Sequence, residues 1–598
     1  MMTSISYRDI NITGGFWQQL QQRNKNITMP AIQRQFTETG RFAALDFSTP
    51  WAEGKKPHIF WDSDLGKWIE SVAYILQKGP APELEQAVEA AIALIEKHQD
   101  EDGYYNIYFT VVEPEKRWQN RSDHELYCAG HLMEAAVAYY EATGRDKLLR
   151  CMMKYADYIE QVFVKEQNTA FVTCGHEEIE LALVRLYRCT GEERYLRLSE
   201  FFVDQRGAND KDHAPYHGTD HKYCQSHLPV REQREAVGHS VRAMYLYCAM
   251  ADLAAENNDK ALWEACKKLF ENTVQKRMYV TGGIGSTHHG EAFTVDYDLP
   301  NETAYAETCA AIGLALFARR MSAIEPDNRY ADVAELAIYN GLLPGLSEDG
   351  TAFFYENPLE IHPQLRTKNT CTKGNDRYPI TQRQQMFDCM CCPPNFTRLI
   401  ASFGDFLFAE NDDTLYVHHY AHASTDQIEL TTEYPREGNI SLRLRNMAGK
   451  RVALRIPGWC ENYNCSVSGE LDRGYYYINT DSDDFVVFLS FEMPVRLVFA
   501  NAKVYENIDR VAVMRGPVVY CMEALDNGKN LRALSIAPEA EFTGEFDHLE
   551  CDGFRLQEDE TLYSAMPPKK IAQRLRWIPY YRFANREESE MAVWVRMK

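Results

Sequence analysis

Three times in the first half of the chain a Gly-His pair introduces a long apolar stretch: Gly130-His131, Gly175-His176 and Gly238-His239. The first stretch ends Tyr139-Tyr140-Glu141-Ala142-Thr143-Gly144 and the second Leu186-Tyr187-Arg188-Cys189-Thr190-Gly191. Such Thr-Gly endings read as helix C-caps, because glycine takes the left-handed closing conformation without a steric penalty. The first two starts lie 45 residues apart (130 to 175), enough for one helical hairpin per unit. Stacked hairpins either stay open as a solenoid or close into an α/α toroid. Histidines at the same place in successive helices favour closure, since they gather imidazoles on one rim where a pocket can form. Taken singly, each is as readily a capping or core histidine.

Helical spacing runs from about residue 24 to about residue 408. Trp68, Val72, Ile75 and Leu76 fall on one face, and so do Leu84, Val88, Ala91, Ile92 and Ile95. Beyond that point the period drops to two. Residues 414–420, 440–444, 452–458, 485–491 and 511–520 read as strands separated by turns, a pattern that predicts β-sandwiches. The expected division is a mainly α domain over 1–408, a first β-sandwich over 409–510 completed by 585–598, and a second over 511–584. Residues 539–573 are acidic and weakly patterned, and 362–380 carry no assignable pattern.

Composition narrows the class of partner. Apolar residues make up 45% and aromatics 12%, which describes a globular protein. A net charge of −23 argues against nucleic acid or an anionic membrane and favours a small or neutral substrate. There is no run of about 18 apolar residues to span a bilayer. The first nine residues, Met1 to Asp9, lack the basic-then-apolar order of a secretory signal. Sixteen scattered cysteines, many in helical patterns (Cys128, Cys151, Cys189, Cys248, Cys266), predict reduced thiols and a cytoplasmic location.

The densest chemistry lies in Cys389-Met390-Cys391-Cys392-Pro393-Pro394-Asn395. Neighbouring cysteines rarely bridge one another, because disulfide geometry needs the Cβ atoms aimed across a gap. The cluster reads as thiolates around a metal, as a tuned reactive thiol, or as a buried apolar loop. Upstream, Gly290-Glu291 is followed by Ala306-Glu307-Thr308-Cys309 where an apolar helix begins. Glu307, Cys309, Cys391 and Cys392 would make four ligands, a number and a donor set that suit zinc. The alternative for Glu307 is a carboxylate that complements a helix N-terminus. Residues 210–227 hold His213, His217, His221 and His227, a solvated loop or a lid. Cys389 and Cys371 have no assigned role.

Gly290-Glu291, Ala306-Glu307-Thr308-Cys309 and Cys389-Met390-Cys391-Cys392-Pro393 resemble the β-L-arabinofuranosidase family of glycoside hydrolases, once catalogued as a domain of unknown function. The resemblance extends over nearly the whole chain. It runs from Gly14-Gly15-Phe16-Trp17 through Asp62-Ser63-Asp64 and Asp123-His124-Glu125-Leu126-Tyr127. It continues in Arg455-Ile456-Pro457-Gly458-Trp459, Met514-Arg515-Gly516-Pro517 and Asn585-Arg586-Glu587. It implies an (α/α)6 barrel followed by two β-sandwich domains, with zinc held by Glu307, Cys309, Cys391 and Cys392. It further implies Cys391 as nucleophile, Glu291 as general acid/base, and His131, His176, His239 and Tyr355 as sugar contacts. Most retaining glycosidases use two carboxylates about 5–5.5 Å apart, whereas this family replaces the nucleophilic one by a thiolate. Glu307 is the rival nucleophile. The implied reaction is exo-hydrolysis of β-L-arabinofuranosides in short arabino-oligosaccharides. The alternatives are another plant cell-wall furanoside, such as a branched or acidic pectic sugar, or carbohydrate binding without catalysis. The sandwiches of relatives imply a homodimer.

Overall fold

In the computed structural model, which describes residues 2–51, 56–209, 220–366 and 381–597, the helical half opens with α1 (Gly15–Arg23), α2 (Met29–Thr39), α3 (Trp61–Lys78), α4 (Pro82–His98) and the single turn α5 (Tyr108–Val111). It continues with α6 (Glu125–Thr143), α7 (Lys147–Glu160), α8 (Ile179–Thr190), α9 (Glu193–Gln205), α10 (Ser240–Glu256) and α11 (Lys260–Lys276). It ends with α12 (Thr308–Ile324), α13 (Asn328–Leu336) and α14 (Cys392–Ala401). Six of these close a ring. α3 packs on α6, α6 on α8, α8 on α10, α10 on α12, α12 on α14, and α14 returns to α3. Outside them lie α4, α7, α9, α11 and α13, with α1 and α2 behind α14. The toroid is therefore a closed (α/α)6 barrel, as expected.

The two layers differ in sequence as their surroundings require. α6 is buried continuously from Glu125 to Tyr139 and α10 from Ser240 to Ala254. Helices that meet protein on every side carry no apolar stripe. Outer α7 does carry one, through Leu148, Met152, Tyr155 and Ile159. The Thr-Gly endings close α6 and α8: Gly144 and Gly191 are left-handed and donate to the carbonyls of Tyr140 and Tyr187.

The Gly-His register is corrected. His239 is the N-cap of α10 and His176 lies three residues before α8, but His131 sits in the second turn of α6. The residue at the start of α6 is His124. Gly130 is not a turn residue. A Cβ there would come within 2.7 Å of Glu178 Cγ, so glycine serves close packing of α6 on the entry to α8.

The middle β unit is two six-stranded sheets. Each recruits a strand from the first dozen residues: Thr3–Ser4 pairs with Phe408–Glu410, and Asn11–Ile12 with Ala423–Ser424. In Asp484–Phe491 burial alternates, with Phe485, Val487, Leu489 and Phe491 inward. The C-terminal unit is a ten-stranded sheet. Here the expected boundaries move. Val495–Phe499 pairs with Arg510–Arg515, so it belongs to the second β unit rather than the first. Trp594–Met597 also pairs with Arg510–Arg515, so residues 585–598 do not complete the first unit. Alternation shows that a segment is a strand; it does not show which strand supplies its hydrogen bonds. The weakly patterned 539–573 region contributes to the His548–Leu556 and Lys570–Pro579 hairpin. Cys371, His213 and His217 fall outside the described residues. No described helix is long and apolar enough to cross a membrane.

Candidate active site

α12 and α14 are neighbours in the ring, and their N-termini converge. Glu307 is the N-cap of α12 and Cys309 its second residue; Cys391 is the N-cap of α14 and Cys392 its first residue. Pro393 and Pro394 follow within the first turn of α14, where a missing N–H leaves no helical hydrogen bond unmade. Four donor atoms from these two helix ends lie within 4.8 Å of one another and could hold a metal ion. Cys309 Sγ is 3.2 Å from Cys392 Sγ and 3.9 Å from Cys391 Sγ. Glu307 Oε1 is 3.7 Å from Cys391 Sγ and 3.5 Å from Cys392 Sγ. Helix N-termini favour negative charge, which suits thiolates here.

The cluster's electrostatics follow from crowding. Burial pushes the Cys309 thiol up, but contacts from the Cys391 and Cys392 thiols outweigh it and bring it down to about 6. Burial and the Cys309 and Cys391 thiols push Cys392 up. Glu307 is held well above the usual carboxylate range by burial and by Cys391. A cation at this point is the simplest way to carry several of these groups ionised together. Lys67, fully buried on α3, supplies one fixed positive charge nearby and donates to Tyr127 Oη at 3.0 Å.

The cluster opens into a cavity of about 1060 Å³. Cys391, Glu307, Cys309, Cys389, Glu291, Tyr355, His176 and His239 all line it. Tyr355 Oη lies 3.0 Å from Cys391 Sγ, and burial together with the Cys391 charge keeps that phenol protonated. Glu291 sits on the loop between α11 and α12 with φ 54, directly after Gly290 at φ 68. Two successive left-handed residues turn the carboxyl into the cavity, and such strain persists where its surroundings enforce it. His239 does part of this. Its Nδ1 accepts from the Val241 amide, so the ring proton is on Nε2, 2.8 Å from Glu291 Oε2. His176 places Nδ1 3.0 Å from the Glu177 carbonyl, which leaves Nε2 as an acceptor. Burial, with the nearby Arg242 charge, keeps this imidazole neutral.

Beside His176 and His239 the wall carries His124, not His131, and His58 lines the cavity as well. The His124 ring is 5.8 Å from His176, and His176 is 5.5 Å from His239. His131 is wholly buried, pairs through Nδ1 with Glu178 Oε1 at 3.0 Å, and packs edge-on against Tyr127. It supports the wall from behind. Sequence reasoning also missed Tyr127, Arg242 and Tyr223, which line the cavity. A signal existed for His124 and Tyr127, which both stand in Asp123-His124-Glu125-Leu126-Tyr127. Within the 220–227 part of the His-rich loop it is Tyr223 that reaches the wall, while His221 and His227 do not. A thiol nucleophile, a carboxyl able to transfer a proton and neutral imidazoles in one pocket can displace an oxygen leaving group from carbon.

Comparison with known proteins places the chain in a family. Residues 9–405 match the catalytic domain described as β-L-arabinofuranosidase, GH127; residues 413–490 match the GH127 middle domain and 495–596 the glycoside hydrolase family 127 C-terminal domain. A non-reducing end β-L-arabinofuranosidase of Bifidobacterium longum subsp. longum is 35% identical, over 90% of this chain and 89% of its own length. The crystal structure of a GH127 β-L-arabinofuranosidase from Geobacillus stearothermophilus T6 superposes with a TM-score of 0.93 at 40% identity, covering 98% of this chain and 100% of its own. A second GH127 β-arabinofuranosidase structure gives a TM-score of 0.89 at 33% identity, covering 100% of this chain and 98% of its own.

Proposed function

The chain belongs to glycoside hydrolase family 127, and from that premise we propose that it is a retaining exo-glycosidase releasing L-arabinose from non-reducing-end β-L-arabinofuranosides, including short arabino-oligosaccharides. The observation that carries the mechanism is Cys391: a thiol on the cavity wall, beside the Tyr355 phenol, in the same pocket as the His239-held Glu291. In the first step the Cys391 thiolate attacks the anomeric carbon. The C–O bond to the leaving group breaks, and Glu291 gives its proton to that oxygen. In the second, the Glu291 carboxylate takes a proton from water, whose oxygen attacks the same carbon. The C–S bond breaks and the thiolate returns. Two inversions give net retention. The Tyr355 hydroxyl donates to the thiolate, His124 and His176 bind ring hydroxyls, and His239, with both ring nitrogens engaged, holds Glu291 in place.

Zinc fits the donor set. With Zn–S near 2.3 Å and Zn–O about 2.0–2.2 Å, a tetrahedron has S···S edges of about 3.8 Å and S···O edges of about 3.6 Å. The thiol pairs stand at 3.2, 3.7 and 3.9 Å and the thiol–carboxylate pairs at 3.5 and 3.7 Å. Glu307 Oε2 is buried without a hydrogen-bond partner, as a ligand awaiting a cation would be. When bound, zinc would keep Cys309, Cys391 and Cys392 as thiolates and fix the direction of Cys391. Glu307, the rival nucleophile, is 1% exposed and engaged with the thiols, which favours its role as ligand.

The deciding experiment follows hydrolysis of 4-nitrophenyl β-L-arabinofuranoside by proton NMR. The wild type should release β-L-arabinofuranose first, and Cys391→Ala should lose turnover by about 10³-fold or more. First-formed α product, or an active Cys391→Ala, overturns the double displacement. A parallel panel of branched and acidic pectic furanosides tests the alternative sugar. The fifteen described cysteines are all unbridged, which supports a reducing, cytoplasmic setting. A homodimer through a β unit is supported by exposed Leu562, Tyr563 and Met566 beyond the 548–556 strand, and light scattering reads it directly.

A further inference from the structure

A second cavity, of about 460 Å³, lies where the barrel and both β units meet. Its size falls within the roughly 300–1,000 Å³ of small-molecule sites. Its walls carry five aromatic rings, Trp459, Trp594, Tyr279, Tyr297 and Phe499. The charges on the wall are unequal in their commitments. Asp332 and Glu335 are taken up by the buried Arg455, and Lys276 by Asp296. Arg496 is different. Its Nη2 donates to the Gly516 carbonyl at 2.9 Å and its guanidinium faces the Trp459 ring at 5.9 Å, yet no described carboxylate lies within ion-pair distance. Its Nε is buried without an acceptor, and so is the indole N–H of Trp594, a residue 7% exposed. A half-buried, unpaired guanidinium beside aromatic walls is costly unless an anion completes it.

The same cavity touches the catalytic loop. Lys276, Met278, Tyr279 and Val280 form one stem of the segment that carries Glu291, and Tyr297 and Leu299 form the other. The stems are joined by the Tyr297 amide, which donates to the Lys276 carbonyl at 2.9 Å.

We propose that this junction is an effector site for a flat aromatic carboxylate, its carboxylate paired with Arg496 and its ring held among Trp459, Trp594 and Phe499. The anion meets the planar fork of the guanidinium, and the ring fills a space that neutral, hydroxyl-rich sugars would leave poorly solvated. Occupancy braces both stems of the Glu291 loop and so acts on turnover.

Titration calorimetry of the intact enzyme with 2-naphthoate tests the site. Saturable one-to-one binding is expected, weakened at least tenfold for 2-naphthamide and for Arg496→Ala, and undisturbed by saturating L-arabinose. Phe499→Ala, at a position 60% exposed, removes part of the wall without burdening the fold and should also weaken binding. Saturating 2-naphthoate should change kcat/KM on the nitrophenyl arabinofuranoside at least twofold in the wild type but not in Arg496→Ala, whose basal activity should match the wild type. Absence of saturable binding, binding indifferent to Arg496→Ala and Phe499→Ala, displacement by L-arabinose or unchanged kcat/KM would each overturn the proposal.

Discussion

His124 and His131 stand seven positions apart on one inner helix and have opposite duties. His124, left-handed at the start of α6, faces the cavity, and burial with the nearby Arg242 charge brings its imidazole down to about 3. A neutral ring at that wall can bind a sugar hydroxyl, and if His124 does so as proposed, His124→Ala should lower kcat/KM by about 10- to 100-fold with little change in stability. His131→Ala should do the reverse. It strands Glu178 in the barrel, at a cost of about 2–4 kcal/mol, while KM stays near wild type. Steady-state kinetics and urea denaturation separate the two, and a His131→Ala enzyme with intact stability and a large KM would restore His131 to the wall. The contrast also marks how far sequence could go. Glu307, Cys309, Cys391 and Cys392 were legible because each pair is local, and a crowded set of donors allows few chemistries. His124 was marked only by its motif, Asp123-His124-Glu125-Leu126-Tyr127; that it faces the cavity depends on a left-handed N-cap that no composition rule announces.

At the scale of elements, the proposed catalytic centre rests on the starts of α12 and α14, adjacent inner helices from distant parts of the chain. A cation held by two donors from each would act as a clip across the closing edge of the barrel. Anything bound only by the folded state stabilises it by mass action, about 4 kcal/mol at a thousand times the dissociation constant. Chelation should therefore lower the melting temperature by several degrees as well as abolish activity, and added zinc should restore both. Scanning calorimetry with elemental analysis checks this. A chelated protein that melts as before would show that the four donors need no ion to stay together. The helices themselves were readable from spacing and from the Gly144 and Gly191 caps, because each signal lies within one element. Closure of the ring was only inferred, since α14 meets α3 across more than three hundred residues.

The whole molecule is sewn together at places that a linear reading assigns to one domain. Thr3–Ser4 and Asn11–Ile12 enter the middle sheets, and Glu360–Ile361, between barrel helices α13 and α14, joins the C-terminal sheet through Met591–Ala592. Two- and three-residue strands carry too little alternation to be seen in sequence. Glu360 makes the last seam electrostatic. It is 3% exposed and takes His362 at 2.7 Å, Arg532 at 2.5 Å and Arg510 at 3.6 Å. Burial alone would raise its carboxyl, but the His362 and Arg532 hydrogen bonds prevail and bring it down to about 2. A carboxyl with an ordinary value of 4.5 when unfolded then binds fewer protons in the folded state across that interval. Its stabilisation is complete above about pH 5 and drains away as pH falls toward 2, an effect of up to about 3 kcal/mol. Glu360→Gln should be less stable than wild type in urea at pH 6, and the gap should narrow steadily below pH 4.5. A gap of constant size across that range would mean that packing, and not charge, holds the barrel to its C-terminal sheet.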